Sequence, residues 1–249
     1  MTNASEFRAP DWESYKMVYK EPHREIEPPA DEIAIVGQTL NALVAAGILS
    51  SAEYDLALFD AFRQGVRDTF EIPWTAITPR LQRTIYAINA IVAPKVMVAA
   101  GVFCGNTFIS NAGAAVGTGA AYAAEDLVGL EILPEEAARA ERNIRAFDPT
   151  GTARILAADA VQFVADYDRP IDLLYLDASA PGEKGKRIYL EILEAAYDKL
   201  SESAVVLAHN SVNNAERLAE YLGAVRDPSR FAASLNVVID GEGLEVSRL

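Results

Sequence analysis

Val96-Met97-Val98-Ala99-Ala100-Gly101-Val102-Phe103-Cys104-Gly105-Asn106-Thr107 decides the fold. Five apolar residues run into a glycine loop, and the loop runs into a stretch of helical periodicity, Asn106–Ala115. An unbroken apolar run marks a strand covered on both faces, as in a parallel sheet between helices. Gly101 and Gly105 let the backbone approach a ligand, and a helix N-terminus offers free N–H groups to a carboxylate or a ribose. A tight βα turn without a ligand uses the same glycine spacing. This stretch alone leaves both readings open.

Further runs of the same kind lie downstream: LVGLE (127–131), ARILA (153–157), IDLLYLD (171–177) and AVVLAH (204–209). Between them helical patterns span Pro134–Ala146, Ala160–Ala165, Gly185–Lys199 and Asn213–Val225. Strands alternating with helices predict an α/β, Rossmann-like parallel sheet. The end differs: SLNVVI, the turn Asp240-Gly241-Glu242-Gly243 and LEVSRL read as an antiparallel C-terminal hairpin. Upstream, residues 1–30 are polar with scattered Trp12, Tyr15 and Tyr19. Ile33, Ile35, Val36, Leu40, Leu43 and Val44 then recur at helical spacing up to Gly47, and a second helix is expected from Ser51 to about Phe70. Pro73 and Pro79 bracket a loop carrying Trp74, and Leu81, Ile85, Ile88 and Ile91 mark a third helix that Pro94 stops. We therefore expect an N-terminal helical cap or lid over 1–80 and a ligand-binding sheet domain over 81–249.

Composition narrows the function classes. The 249 residues carry 22 basic and 36 acidic side chains, a formal net charge of −14, and 51% are hydrophobic. Such an apolar share excludes a disordered chain. The negative charge argues against a nucleic-acid backbone as the main partner. One cysteine, Cys104, excludes a disulfide framework and a cysteine-based zinc site. No apolar run reaches the roughly 20 residues of a membrane span, and the first residues lack a basic segment followed by an apolar one. The expectation is a cytoplasmic globular protein with a small-molecule ligand, no nucleic acid and no membrane; a homodimer is open.

Acids at the strand tips add to the glycine loop. Glu131 ends the second strand, where nucleotide folds place a ribose-binding carboxylate. Asp159-Ala160 follows the third strand, either as a plain helix N-cap or as the edge of a base site, and the two uses are compatible. With these in order, the segment Gly101–Thr107 resembles the first motif of catechol O-methyltransferase-like, class I S-adenosylmethionine (SAM)-dependent methyltransferases. Glu131, Asp159-Ala160, Leu176-Asp177-Ala178 and His209-Asn210 fall in the matching order, over about residues 80–249. The resemblance implies the seven-stranded class I methyltransferase sheet and SAM as ligand. Gly101 and Thr107 would hold its methionine end, with Phe103, Gly105 and Asn106 of the same loop also binding the ligand. Glu131 would hold its ribose, Asp159 and Ala160 its adenine, and Asp177 would face the methionine amine and the reacting centre.

Two departures shape the chemistry. Metal-dependent members of that family hold magnesium with an acid at the fourth strand and an Asp-Asn pair at the fifth; here the pair is His209-Asn210. Imidazole suits magnesium poorly, so no catalytic metal is expected. His209 is then a candidate acid or base, or a hydrogen-bonded strand-end histidine, with Asn210 an orienting donor. The second departure is Ala99, where the family commonly has a glutamate near the SAM amine. Its loss is either drift or a device that keeps the amine neutral. A neutral amine can attack its own γ-carbon, giving azetidine-2-carboxylate and methylthioadenosine. Tyr175 shares a strand face with Asp177 and is a cation–π candidate for the sulfonium, or a core aromatic. Lys184, Lys186 and Arg187 follow the fourth strand, either bordering an acceptor site or opening a solvated helix. Trp12, Tyr15, Tyr19 and Trp74 are lid or packing aromatics, Cys104 a space-filler, and His23 carries no assignment. The expected activity is methyl transfer from SAM to a small acceptor; the rivals are the SAM cyclase and a non-catalytic SAM-binding protein.

Overall fold

The computed structural model describes residues 4–249. Eight strands form one sheet: β1 (Ala4–Arg8), β2 (Val96–Ala100), β3 (Asp126–Glu131), β4 (Ala153–Ala157), β5 (Ile171–Leu176), β6 (Leu200–His209), β7 (Ala233–Val238) and β8 (Leu244–Arg248). Their order is β1-β7-β8-β6-β5-β2-β3-β4. β2 through β6 run parallel, while β8 is antiparallel to both β6 and β7. The expected seven strands are all present. The eighth, β1, comes from the polar N-terminus and pairs in parallel with β7 at the sheet edge. It escapes hydrophobic periodicity because an edge strand needs no apolar run on both faces.

Helices α1 (Pro29–Ala45), α2 (Leu56–Thr69), α3 (Pro79–Val92), α4 (Asn106–Ala112) and α5 (Pro134–Phe147) cover one face. Val36, Leu40, Phe59, Phe62, Leu81 and Ile85 join Met97, Ala99, Leu127, Tyr175 and Leu207 there in one buried core. Helices α6 (Ala160–Asp166), α7 (Ile188–Ala196) and α8 (Ala219–Val225) cover the other face over Val98, Leu174, Leu176 and Val206. Strand alternation sends Met97 and Ala99 to the first core and Val98 and Ala100 to the second. The helices α1 and α2 and the start of α3 thus share a core with the sheet. Among the described residues, no helix is long and apolar enough to cross a membrane.

Three helix starts differ from the sequence expectation, each for a local reason. α2 begins at Leu56 because Asp55 caps it, accepting from the Ala57 and Leu58 N–H groups at 2.8 and 3.0 Å. α7 starts only at Ile188, since Ala180 and Gly185 first pair in a short bridge. The expected helix from Asn213 begins at Ala219, because Asn210 and Asn213 spend their amides on Glu242.

The N-terminal segment is strapped down by Arg80, which is 2% exposed. Its guanidinium donates to Asp11 at 2.7 and 2.9 Å and to Glu27 at 2.8 and 2.5 Å, and lies 3.8 Å from the centre of the Tyr15 ring. Further along, the Thr75 N–H donates to the Tyr19 carbonyl at 2.9 Å, and the Tyr19 hydroxyl donates to Glu242 at 3.2 Å. Residues 9–28 are thereby tied to the Trp74 loop and to the β7–β8 turn.

Candidate active site

Parallel strands end at a common edge, and in doubly wound sheets ligands bind outside the carboxyl ends of the strands. A cavity of about 770 Å³ opens there, within the range of small-molecule sites. After β2 it is walled by Gly101, Phe103, Asn106 and Thr107. Glu131 follows from β3, Asp159 and Ala160 from β4, Asp177 from β5, and His209 and Asn210 from β6. Two expected site residues are not on the wall. Gly105 caps α4 with φ +90 and packs against Ala140. Tyr175 is fully buried in the core beneath the N-terminal helices, because its face of β5 is the covered one. That position corrects the expectation of an aromatic face on the ligand. Its hydroxyl has no hydrogen-bond partner, and burial raises its pKa well above the ordinary tyrosine value, helped by the Asp177 and Asp240 charges.

The glycine loop has the close approach that the sequence suggests. Gly101 has φ +81, and a Cβ there would stand 2.4 Å from the Ala178 Cα and N. Phe103 is left-handed at φ 49, a strained conformation for a bulky residue. Two contacts hold it: its N–H donates to Glu131 Oε2 at 2.8 Å, and its ring packs on Trp74 at 4.8 Å between centroids. Glu131 Oε1 accepts from the Leu133 N–H at 3.1 Å. A carboxylate accepts about four hydrogen bonds, so a pair of ribose hydroxyls can still be received. Asp159 Oδ1 caps α6 through the Gln162 N–H at 3.0 Å.

Asn106, one of the cavity-lining residues, donates to the Thr75 hydroxyl at 3.0 Å, while its Oδ1 is buried without a hydrogen-bond partner among the described residues. Such an atom is costly unless a ligand donor meets it. The residues present therefore fit a SAM-like ligand: a close-packed glycine turn, a diol-accepting carboxylate and an unpaired acceptor on one wall.

Beside the glycine loop, Asp177 is held by Lys186. The ammonium donates to Asp177 Oδ1 at 2.7 Å and to the Asp177 carbonyl at 2.8 Å. His209 Nδ1 lies 3.3 Å from Asp177 Oδ2. Burial would raise the Asp177 pKa, but the Lys186 and His209 charges outweigh it and hold the carboxyl at about 2. For His209, burial would lower the pKa; the Asp177 carboxylate overcomes this and raises it above the ordinary histidine value, with Lys186 opposing and Asp240 adding. His209 lines the cavity, and neither its Nδ1 nor its Nε2 has a hydrogen-bond partner among the described residues. Asn210 sits at φ 68, tolerable for asparagine, and its amide donates to Glu242 Oε2 at 2.8 Å.

This end fits a divalent metal poorly. The carboxylate already carries a cation, a histidine replaces an oxygen ligand, and Asn210 is tied to Glu242. Among the described residues, no group of three or more His, Cys, Asp and Glu side chains has metal-holding geometry.

Sequence reasoning left Lys186 open between two roles and missed Glu242. Nine residues separate Lys186 from Asp177, and only the folded-back 180–185 loop joins them. Glu242 reads as a turn residue, yet it gathers Tyr19, Asn210 and Asn213. Of the four lid candidates, Trp74 alone lines the cavity, 48% exposed. Cys104 also reaches the wall, and burial pushes its thiol up to about 11, consistent with a space-filling role.

The comparisons agree with this geometry. Residues 98–211 match the family model described as a methyltransferase domain. Solved structures with the same fold include an O-methyltransferase from Bacillus cereus in complex with SAH, the demethylated form of SAM. It is 15% identical with a TM-score of 0.57, over 87% of this chain and 99% of that one. A methyltransferase from Geobacter sulfurreducens is 19% identical with a TM-score of 0.55, over 86% and 98%. The O-methyltransferase TomG from Streptomyces achromogenes, involved in tomaymycin synthesis and solved with SAM, is 18% identical with a TM-score of 0.53, over 85% and 96%. No curated protein matches the sequence. The chain therefore shares the fold of these solved methyltransferases, and its residues 98–211 match the methyltransferase-domain model.

Proposed function

We propose that this protein is a SAM-dependent enzyme of small-molecule metabolism, transferring a methyl group to a small acceptor without a catalytic metal. The observation that carries the reading is one cavity lined by Gly101, Glu131, Asp159, Asp177, Lys186 and His209 together. SAM supplies an electrophilic methyl group on a sulfonium. The chain's part is to bind, align and exclude water, which is most of what such a displacement needs. Glu131 accepts the ribose hydroxyls and Asn106 Oδ1 a donor of the methionine portion. His209 Nε2 takes the proton from the acceptor as its nucleophilic atom bonds to the methyl carbon and the carbon–sulfur bond breaks. The Asp177 carboxylate, 3.3 Å from Nδ1, is the group that would orient the imidazole and stabilise its protonated form. Because the His209 pKa is raised, the base form gains population as pH rises above neutrality.

A second reading has its own support. The Asp177 carboxylate is already paired with Lys186, and Ala99 supplies no other acid. An incoming α-ammonium then finds no free carboxylate, which favours its neutral, nucleophilic form. Attack by that amine on its own γ-carbon forms the nitrogen–carbon bond, breaks the γ-carbon–sulfur bond and releases methylthioadenosine, azetidine-2-carboxylate and a proton.

One experiment separates the two. The purified protein is incubated with SAM alone and the products are identified by mass spectrometry. Unchanged SAM supports transfer to a second substrate. Methylthioadenosine with an azetidine-mass amino acid, formed faster than without protein, overturns methyl transfer in favour of the cyclase.

A further inference from the structure

We infer that Lys186 is this site's built-in cation: its ammonium holds the position on Asp177 that a divalent ion takes in metal-dependent enzymes of this fold. The inference rests on the cavity being the reaction site, whichever of the two reactions runs there. The seat is made rather than incidental. Gly185, at φ +48, and its bridge to Ala180 turn the loop back, so that Lys186 returns over the end of β5. Its Nζ takes both the carboxylate and the carbonyl of Asp177, at 2.7 and 2.8 Å, and lies 5.3 Å from the Tyr189 ring centre. The two side chains are 13% and 18% exposed, so the pair is mostly withdrawn from water.

Nearby carboxylates offer the ammonium no alternative. Asp240 accepts from the Thr78 hydroxyl and from the Glu242 and Gly243 N–H groups, and Glu191 is paired with Lys184. A metal entering on Asp177 would have to displace Lys186 from both the carboxylate and the carbonyl, breaking a pair mostly withdrawn from water, which is costly. The neighbouring change from acid to His209 then follows. With one cation already balancing Asp177, a second carboxylate would leave excess negative charge, whereas an imidazole adds none when neutral.

The test is a Mn²⁺ titration of the full chain followed by electron paramagnetic resonance. It uses wild type, His209→Asp, and the double variant Lys186→Ala/His209→Asp. SAH affinity and thermal melting are recorded for each. We expect no saturable Mn²⁺ binding by wild type or His209→Asp, and submillimolar binding by the double variant. The inference is overturned if wild type binds Mn²⁺ and proton NMR of the same sample shows selective broadening of the His209 ring signals, which are easily assigned because the chain has two histidines. It is equally overturned if His209→Asp alone binds as tightly as the double variant, or if the folded double variant fails to bind. If the double variant does not fold, the wild-type and single-variant titrations decide. Loss of SAH binding by wild type would instead count against the proposed function, and the Mn²⁺ readout does not depend on it.

Discussion

Gly101→Ala tests the close approach of the glycine loop to the sheet. The substitution adds one methyl group at φ +81, with the Ala178 Cα and N at 2.4 Å and the Asp177 carbonyl carbon at 2.6 Å. Two costs follow. A left-handed residue other than glycine costs about 1–2 kcal/mol. Forcing a methyl into backbone that cannot swing away adds about 1–3 kcal/mol. Gly182→Ala separates them, because Gly182 has φ +69 and nothing within 4 Å of its Cβ position. It should show the conformational cost alone. For a chain of this length 1 kcal/mol shifts the melting temperature by about 2–4 °C. Gly182→Ala should therefore lower it by about 2–8 °C, and Gly101→Ala by a further 2–12 °C or so. Because the clash lies between the loop and the residues after β5, Gly101→Ala should also weaken SAH binding at least tenfold, while Gly182→Ala leaves it unchanged. Melting by circular dichroism and calorimetric titration with SAH read both quantities. Equal melting losses in the two variants, with SAH affinity intact, would refute the reasoning.

Further outcomes follow from the same geometry. Glu131→Gln removes charge-assisted acceptance of ribose hydroxyls, worth about 1.5–3 kcal/mol, so SAH affinity should fall roughly 10- to 150-fold by calorimetry. Asp177, held near 2, is depressed below its ordinary 3.8. Its contribution to stability is thus complete above about pH 4 and disappears as pH falls toward 2, a loss of about 2 kcal/mol in urea titrations. Asp177→Asn should lack that slope. His209 is raised, so the general-base reading predicts a methyl-transfer rate that climbs with pH above neutrality, measured as kcat/KM. A flat profile from pH 6 to 9 would count against it. Trp74→Ala removes a stacking partner worth about 0.5–1.5 kcal/mol to Phe103. The melting temperature should move by only a few degrees, and SAH should dissociate several-fold faster in stopped flow.

Periodicity revealed the central sheet because its strands are buried on both faces. All five residues of β2 are buried, and an apolar run of that kind has few other uses. β1 was invisible because a polar edge strand needs only a neighbour, here β7. Most of the site was legible for a related reason. Strand tips converge on one edge, so Gly101, Glu131 and Asp159 could be placed from strand order, while Asp177 and His209 came with the family resemblance, and all five line one cavity. Tyr175 was misplaced by the same rule taken too far. Alternation puts it on a given face, but the helices over that face decide whether it meets ligand or core. Lys186 and Glu242 act through loops that fold back, and no local pattern encodes where a loop returns.

The central claim is that this cavity binds SAM. Isothermal titration of the purified chain with SAM, followed by competition with SAH, tests it most directly. The account predicts saturable binding at one site per chain, displaced by SAH and weakened by Glu131→Gln. A folded protein that takes up neither SAM nor SAH would contradict it.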